Sequence, residues 1–274
     1  MMPTVTEVPT PDARVRCFRS APEVDCFAVV TERYVVVVDT FGTPQEAAQM
    51  MELLRPALPE RQLLVVNTHD HYDHAWGNAV FAPDQAFAAP IIAHALSRDP
   101  ERRLDSARKL AHKQAQEQAQ EPQRFADTTL FFPTLTFTHD FMIDGGDLTL
   151  HLLPAPGHAP DQVAVWIPEL RFLLAADALE FPFPLLSDAA QLPALLGSIE
   201  RLKALQPEVI LPCHGGLHGP ELLDWNTRYY TRLQEGPFSF DEVLADLGVP
   251  GVPNETFYRE MHAGHQKLLT ARDA

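Results

Sequence analysis

Cysteine is scarce in this 274-residue chain: Cys17, Cys26 and Cys213 are the only three, too few for a disulfide framework. They read as reduced and mostly buried thiols. Lysine is nearly as scarce, with four residues, and the net charge is -16. Affinity for nucleic acid comes largely from cationic contacts to phosphate, so no nucleic-acid partner is expected. No apolar run approaches the ~20 residues that span a bilayer, so no membrane partner is expected either. The opening MMPTVTEVPTPDARVR has no basic stretch leading into an apolar one. It therefore shows no signal peptide, and the cytoplasm is the expected compartment. Tandem repeats are absent as well.

What the chain does have is apolar content, 46% of residues. That supports a sizeable core, in one large α/β domain or one domain with an appendage. CFAVV and YVVVVDT read as strands joined by a short polar turn, the second suited to burial on both faces. TPQEAAQMMELLRPAL has helical periodicity, opens on Thr43-Pro44 and stops near Pro56. RQLLVVNT and APIIAHA follow as strands. Residues 97–121 are highly charged and rich in helix formers, with Leu104, Ala107, Leu110, Ala111 and Ala115 as a narrow apolar stripe. This segment is expected to be a solvated helix packed on the domain; a lid or a homodimer contact is the alternative. TLTFTHDFMI, the DGGD turn and LTLHLLPA predict a hairpin. Further strands are DQVAVWIP, RFLLAAD and EVILPCHG, with an amphipathic helix in LPALLGSIERLKALQ. Beyond Gly219 the pattern is helical. Strand–helix alternation in both halves predicts two similar α/β layers. The expected division is 1–219 for the α/β domain, carrying the 97–121 insertion, and 220–274 for a helical extension packed on it.

The run NTHDHYDHAWGN, residues 67–78, concentrates imidazoles and carboxylates. A buried strand ends at Asn67-Thr68. If the chain stays extended, His69 and His71 point the same way, because side chains alternate with period two. A short helix after them brings Asp73 and His74 toward the same place. Neutral imidazole and carboxylate suit zinc, and iron or manganese also accept them. Three more residues of these types stand at the ends of predicted strands: His158 in APGHAPDQ, Asp177 in LLAADA and His214 in LPCHGG. Strand ends project to one edge of a sheet, where α/β proteins build sites.

The ordered set of His69, His71, Asp73 and His74, then the PGH of His158, then Asp177, then the CHG of His214 resembles the metallo-β-lactamase superfamily at its dinuclear hydrolase end. The resemblance covers about residues 26–219. It implies a four-layer αββα sandwich. It also implies two divalent ions, zinc first with manganese or iron as alternatives. His69, His71 and His158 would hold one ion, and Asp73, His74 and His214 the other. Asp177 would bridge them, and Asp73 and Asp177 would be the catalytic carboxylates. A hydroxide shared by the ions would attack an electrophilic carbonyl carbon. Asp39 matches a family position that supports the metal loop by hydrogen bonding; an ordinary strand-end aspartate is the competing reading. The family often has threonine and a small residue after the PGH histidine. Here the run is GHAPDQ, and Asp161 and Gln162 would shape the pocket differently. Cys213, on a strand, points away from the ligands.

ALEFPFPLLSDAA after Asp177 is apolar and carries no cation. Phe181 and Phe183 would form an apolar wall beside the metals or pack a hinge between the halves. A small-molecule ester, lactone or thioester with an apolar part is the expected substrate. A β-lactamase would need a cation for the drug's carboxylate. A glyoxalase II-like thioesterase would need basic residues, for which Arg228 and Arg232 are the nearest candidates. An iron-dependent redox enzyme acting on sulfur or oxygen species is the alternative of another class.

Overall fold

Valine-rich segments set the architecture, because β-branched side chains fit a pleated surface that is covered on both faces. The computed structural model describes residues 3–20, 24–117 and 123–270, and within them the chain forms two compact units. The first comprises Met1–Pro154 with Pro168–Leu170, the second Ala155–Ile167 with Arg171–Ala274.

In the first unit a seven-stranded sheet runs in sequence order. Its strands are β1 (Val5–Val8), β2 (Val15–Ser20), β3 (Val24–Val30), β4 (Tyr34–Val38), β5 (Gln62–Val66), β6 (Ile91–His94) and β7 (Leu135–Phe137). The first four pair antiparallel and the last four parallel, so β4 belongs to both regimes. Val35, Val36 and Val37 are fully buried, as four consecutive valines in a central strand require. The register places Val38 opposite Val66. The ends of β4 and β5 therefore emerge side by side.

Helix α1 (Pro44–Leu54) opens on Thr43, whose hydroxyl accepts the Glu46 N–H, with proline in the first turn. Such a cap stabilises a helix by about 1 kcal/mol. Ala47, Met50, Met51 and Leu54 form its buried stripe at helical spacing. After β5 the chain turns through α2 (Tyr72–Ala75) and a 3-10 segment, Trp76–Phe81. Gly77 is required there: a Cβ would stand 1.8 Å from the Thr40 carbonyl oxygen.

Helix α3 (Pro100–Glu117) is the expected insertion, and residues 118–121 of that expectation lie outside the described residues. Its orientation corrects the sequence reading. Of the predicted stripe only Leu110 is buried; Leu104, Ala107, Ala111 and Ala115 are exposed. The packed face instead carries Arg102, Ser106, Leu110 and Lys113. Its contacts are ionic and cation–π as well as apolar, and an apolar pattern does not see those.

A second correction concerns the predicted hairpin. TLTFTHDFMI is two strands, not one. Leu135–Phe137 joins β6 in parallel, and β8 (Phe141–Asp144) pairs antiparallel with β9 (Thr149–Pro154). The bend at Thr138–Asp140 separates them.

In the second unit β10 (Val163–Ile167), β11 (Phe172–Ala176) and β12 (Val209–Pro212) form a mixed arrangement, β10 antiparallel and β12 parallel to β11. Helix α4 (Leu192–Ala204) makes the crossover to β12. Gly157 meets it closely: φ is +147°, and a Cβ would lie 2.3 Å from Leu195 Cα. Helices α5 (Glu221–Glu235), α6 (Phe240–Leu247) and α7 (Glu255–Thr270) complete this unit. Among the described residues no helix is long and apolar enough to cross a membrane.

Candidate metal centre

In the first unit the polar cluster grows from the paired ends of β4 and β5. Asp39 follows β4 with a positive φ of 67°, a conformation that aspartate tolerates better than most residues. Its backbone N–H donates to the Val66 carbonyl at 2.9 Å. Its carboxylate reaches across to the next strand end. Oδ1 accepts the Thr68 N–H at 2.8 Å, and Oδ2 accepts the Thr68 hydroxyl at 2.7 Å. Oδ2 also lies 2.8 Å from His74 Nδ1.

These contacts define the histidine tautomers. Carboxylate only accepts, so His74 Nδ1 carries the hydrogen and Nε2 keeps its lone pair. Thr68 spends its hydroxyl hydrogen on Asp39. At 3.1 Å from His69 Nδ1, its oxygen can then only accept, which protonates His69 on Nδ1. One buried carboxylate thus orients two imidazoles, one directly and one through a hydroxyl, and leaves Nε2 as the ligand atom on both. Such outer hydrogen bonds fix ring orientation and raise ligand basicity.

The rings converge. The His69 centroid is 4.5 Å from that of His71 and 4.1 Å from that of His74. Asp73 Oδ2 is 3.7 Å from His74 Nε2. Thus the structure brings His69, His71, Asp73 and His74 together, as an extended loop running into a short helix should. Three neutral imidazoles and a carboxylate are a donor set that suits a divalent cation. The other face of the loop is built differently. Asp70 forms an ion pair with Arg102, and burial raises its pKa against the pull of that guanidinium. Beside the loop is a cleft open to solvent, lined by Asn67, His69, Trp76, Ser106, Phe131 and Phe132 among others.

In the second unit sheet topology does the gathering. The start of β10 lies beside the end of β11, because those strands are antiparallel. The ends of β11 and β12 lie together, because those are parallel. His158 precedes β10, Asp177 follows β11 and His214 follows β12, so all three reach one edge. His158 Nε2 is 3.4 Å and His214 Nε2 is 3.5 Å from Asp177 Oδ2. His158 Nδ1 is 3.0 Å from the Leu185 carbonyl. A carbonyl only accepts, so this ring too is protonated on Nδ1 and presents Nε2.

The remaining candidates occupy distinct places. Asp161 and Gln162 are buried, and Gln162 Nε2 donates to the Val163 carbonyl at 3.0 Å. Phe181 packs on the 214–219 loop, its ring 4.8 Å from that of His218. Phe183 lies in the core of the second unit, stacked on Tyr229 with centroids 3.8 Å apart and planes within 4°. Cys213 is buried. Sequence reasoning missed Thr68 and the Leu185 carbonyl as orienting groups. Thr68 was findable from its place beside Asp39 across parallel strands. A backbone carbonyl has no sequence signature.

The sequence model described as the metallo-beta-lactamase superfamily matches residues 21–214. Among curated proteins, the alpha subunit of a 2,4-dinitroanisole O-demethylase from Nocardioides sp. (strain JS1661) is 29% identical over 153 residues, which are 56% of this chain and 40% of that one. A linear primary-alkylsulfatase from Pseudomonas sp. (strain ATCC 19151) is 22% identical over 219 residues, 66% of this chain and 39% of that one. The chain therefore spans about 40% of the length of these relatives. Among solved structures, a metallo-beta-lactamase family protein from Thermus thermophilus aligns with a TM-score of 0.62 at 20% identity, covering 99% of this chain and 94% of the other. A double mutant of the sec-alkyl sulfatase PisA1 aligns with a TM-score of 0.65 at 18% identity, covering 97% of this chain and 49% of the other. The metallo-β-lactamase FIM-1 from Pseudomonas aeruginosa, in its mono-zinc form, aligns with a TM-score of 0.59 at 19% identity, covering 83% and 95%. At these identities the likeness is one of fold. Two mixed sheets with flanking helices and a helical C-terminus are the metallo-β-lactamase fold.

Proposed function

Because this chain belongs to the metallo-β-lactamase superfamily, we propose that it is a metal-dependent hydrolase whose two polar clusters together hold two divalent ions. In this reading His69, His71 and His158 bind one ion, and Asp73, His74 and His214 bind the second. Asp177 is shared. The observation that carries it is the tautomer set: His69, His74 and His158 each have Nδ1 engaged by an oxygen, which leaves Nε2 as the ligand atom. The buried histidines of the second unit's helical core, His262 and His265, differ in having both ring nitrogens engaged.

A bound pair of ions lowers the pKa of water toward ~7 and polarises a substrate oxygen, so a hydrolytic nucleophile is available at neutral pH. The chain's own residues supply the rest. Asp39 and Thr68 hold two imidazoles in register before any ion arrives. Asp177 places one carboxylate oxygen near two imidazole nitrogens, and its negative charge offsets the repulsion between two dications.

The substrate class follows from the apolar surroundings and from the relatives. Of the expected apolar wall only Phe181 flanks the loop that carries His214, and it brings no cation; Phe183, like Leu179, is instead buried in the core of the second unit. Arg232, a candidate for holding an anionic thiol carrier, is committed to Glu242 and Asp246 and lies over the Phe238 ring. We therefore favour a small molecule with an apolar part joined through an ester, lactone or thioester. The relatives are named for an alkylsulfatase and an O-demethylase, which extends the substrate set to alkyl sulfates and aryl methyl ethers.

The test is metal analysis of protein purified without added metal. Hydrolysis of these five bond types is then assayed with zinc, manganese and iron forms, with and without chelator. Two ions per chain and a chelator-sensitive hydrolysis are expected. One iron per chain with no hydrolysis would overturn this reading in favour of redox chemistry.

A further inference from the structure

We propose that α3 is a clamp on the His69–His74 loop and that Arg102, acting through Asp70, is a positioning residue for metal binding; this rests on the metallohydrolase reading above. His69, His71 and Asp73 occupy alternate positions in the loop with His74 directly after them, and Asp70, Tyr72 and Trp76 turn to α3. The Arg102 guanidinium pairs with the Asp70 carboxylate, with side-chain exposures of only 24% and 18%. The Lys113 ammonium stands 4.1 Å from the centre of the Tyr72 ring and 5.1 Å from that of Phe125. Leu110 packs in one cluster with Trp76 and Phe125, joined by Tyr72 and Leu130. Arg102, Ser106, Leu110 and Lys113 follow one another at helical spacing, so a single face of α3 meets the loop at Asp70, Tyr72 and Trp76.

The loop's two ends are held without α3. Thr68 is tied to Asp39, and the His74 carbonyl accepts the Thr40 N–H at 2.8 Å. Between them, residues 69–72 form a bridge whose middle is anchored through Asp70 and Tyr72. Without those anchors the His71 ring has more conformations to lose when an ion binds, and the lost freedom appears as weaker affinity. The guanidinium also occupies the Asp70 carboxylate, which would otherwise stand as a competing oxygen ligand between two histidines.

The experiment measures zinc affinity by competition with a chromogenic chelator in wild type, R102M, R102K and the double variant D70N/R102M. The cobalt(II) absorption spectrum and the unfolding midpoint of the metal-free protein are recorded alongside. R102M is expected to weaken zinc binding by about 10- to 100-fold, the range for lost groups that orient ligands. It should also shift the cobalt spectrum, and R102K should recover most of the affinity. R102M leaves a buried carboxylate unpaired, which destabilises the fold by itself. The double variant removes that burden. It should regain the wild-type midpoint, keep the weakened zinc binding, and carry the test if R102M does not fold. Wild-type zinc affinity in the double variant would overturn the clamp and leave α3 a stabilising helix only. A wild type that takes up neither zinc, manganese nor iron would overturn the metallohydrolase reading itself, and the clamp with it.

Discussion

The two units hold their clustered side chains in opposite ways. In the first, four candidate ligands are near neighbours in sequence, and their orienting groups are short polar side chains on the adjoining strand ends, Asp39 and Thr68. In the second, His158, Asp177 and His214 come from three separate loops, and bulk packing immobilises the segment after Asp177. Asn226 Oδ1 accepts the Glu180 N–H at 3.0 Å, and its Nδ2 donates to the Glu180 and Pro182 carbonyls at 2.9 and 3.0 Å. The Tyr258 hydroxyl donates to Glu180 Oε1, and that of Tyr230 to the Pro184 carbonyl. A proton-ordered chain closes the clamp. The Leu186 N–H donates to His265 Nε2 at 2.9 Å, so His265 Nδ1 must donate to Tyr229 Oη at 3.0 Å. Tyr229 then donates to His262 Nδ1, also at 3.0 Å. A contiguous ligand run is aligned at its two ends by the strand ends and at its middle by one face of α3. Scattered ligands need their loops packed into a core. Damage should therefore appear as lost metal affinity in the first unit and as lost stability in the second.

The largest expected effect falls on a candidate ligand itself and not on the groups that hold it. Asp177→Ala should lower turnover by about 10³-fold or more, since it removes the carboxylate proposed to serve both ions. Circular dichroism should show the fold intact, and full activity in this variant would contradict the assigned role. Asp39→Asn keeps a residue that accepts the positive φ but replaces an acceptor shared by three donors. Zinc affinity should fall by about 10- to 100-fold in chelator competition. An unchanged affinity would erase the contrast drawn for the first unit.

Tyr229→Phe sharpens the other side. It leaves buried imidazole nitrogens without their shared partner, which should destabilise by about 1–3 kcal/mol and lower the midpoint by several degrees. Zinc affinity should hold. A large loss of affinity with an unchanged midpoint would reverse the contrast.

The same network predicts an acid limb. Burial, reinforced by the charge of His262, depresses the His265 pKa from 6.5 to about 3. The unfolded chain therefore takes up a proton below pH 6.5 that the folded chain refuses. The stabilisation is complete above pH 6.5 and is lost as pH falls toward 3, with a slope of up to ~1.4 kcal/mol per pH unit for one proton. Denaturant titrations of metal-free wild type and His265→Asn between pH 7 and 4 should differ in that slope; parallel curves would refute it. Smallest of all, Leu104→Ala on α3, where the side chain is 51% exposed, should stay within about 0.5 kcal/mol of wild type. A larger loss would show that the predicted apolar stripe is buried after all.

The difference between the clusters also explains what could be read in advance. His69, His71, Asp73 and His74 were legible because strand alternation and one helical turn convert their spacing directly into a shared direction. The places of His158, Asp177 and His214 at strand ends were legible too, since apolar runs mark strands and the polar residue that follows marks an edge. The Arg102–Asp70 pair was not, because two residues 32 positions apart in an acidic chain carry no pairwise signal. His262 and His265 carry no motif in the sequence, for a similar reason. Their partners are a tyrosine hydroxyl and two backbone groups on other elements, and only the burial of α7 brings these within reach. The face of α3 was misjudged because apolar periodicity counts hydrophobic atoms, whereas this helix is held by charged and polar side chains together with one leucine.

Local chemistry in the chain determined which residues could bind cations, where strands end, and that the ligand-rich loop follows a buried strand. These depend on side-chain type and on backbone periodicity over a few residues. Tertiary structure alone decided which carboxylate orients which imidazole, which nitrogen of each ring stays available, and which side of α3 meets the loop. A hydrogen bond exists only within about 3 Å, and that proximity is created by the pairing of distant strands and helices.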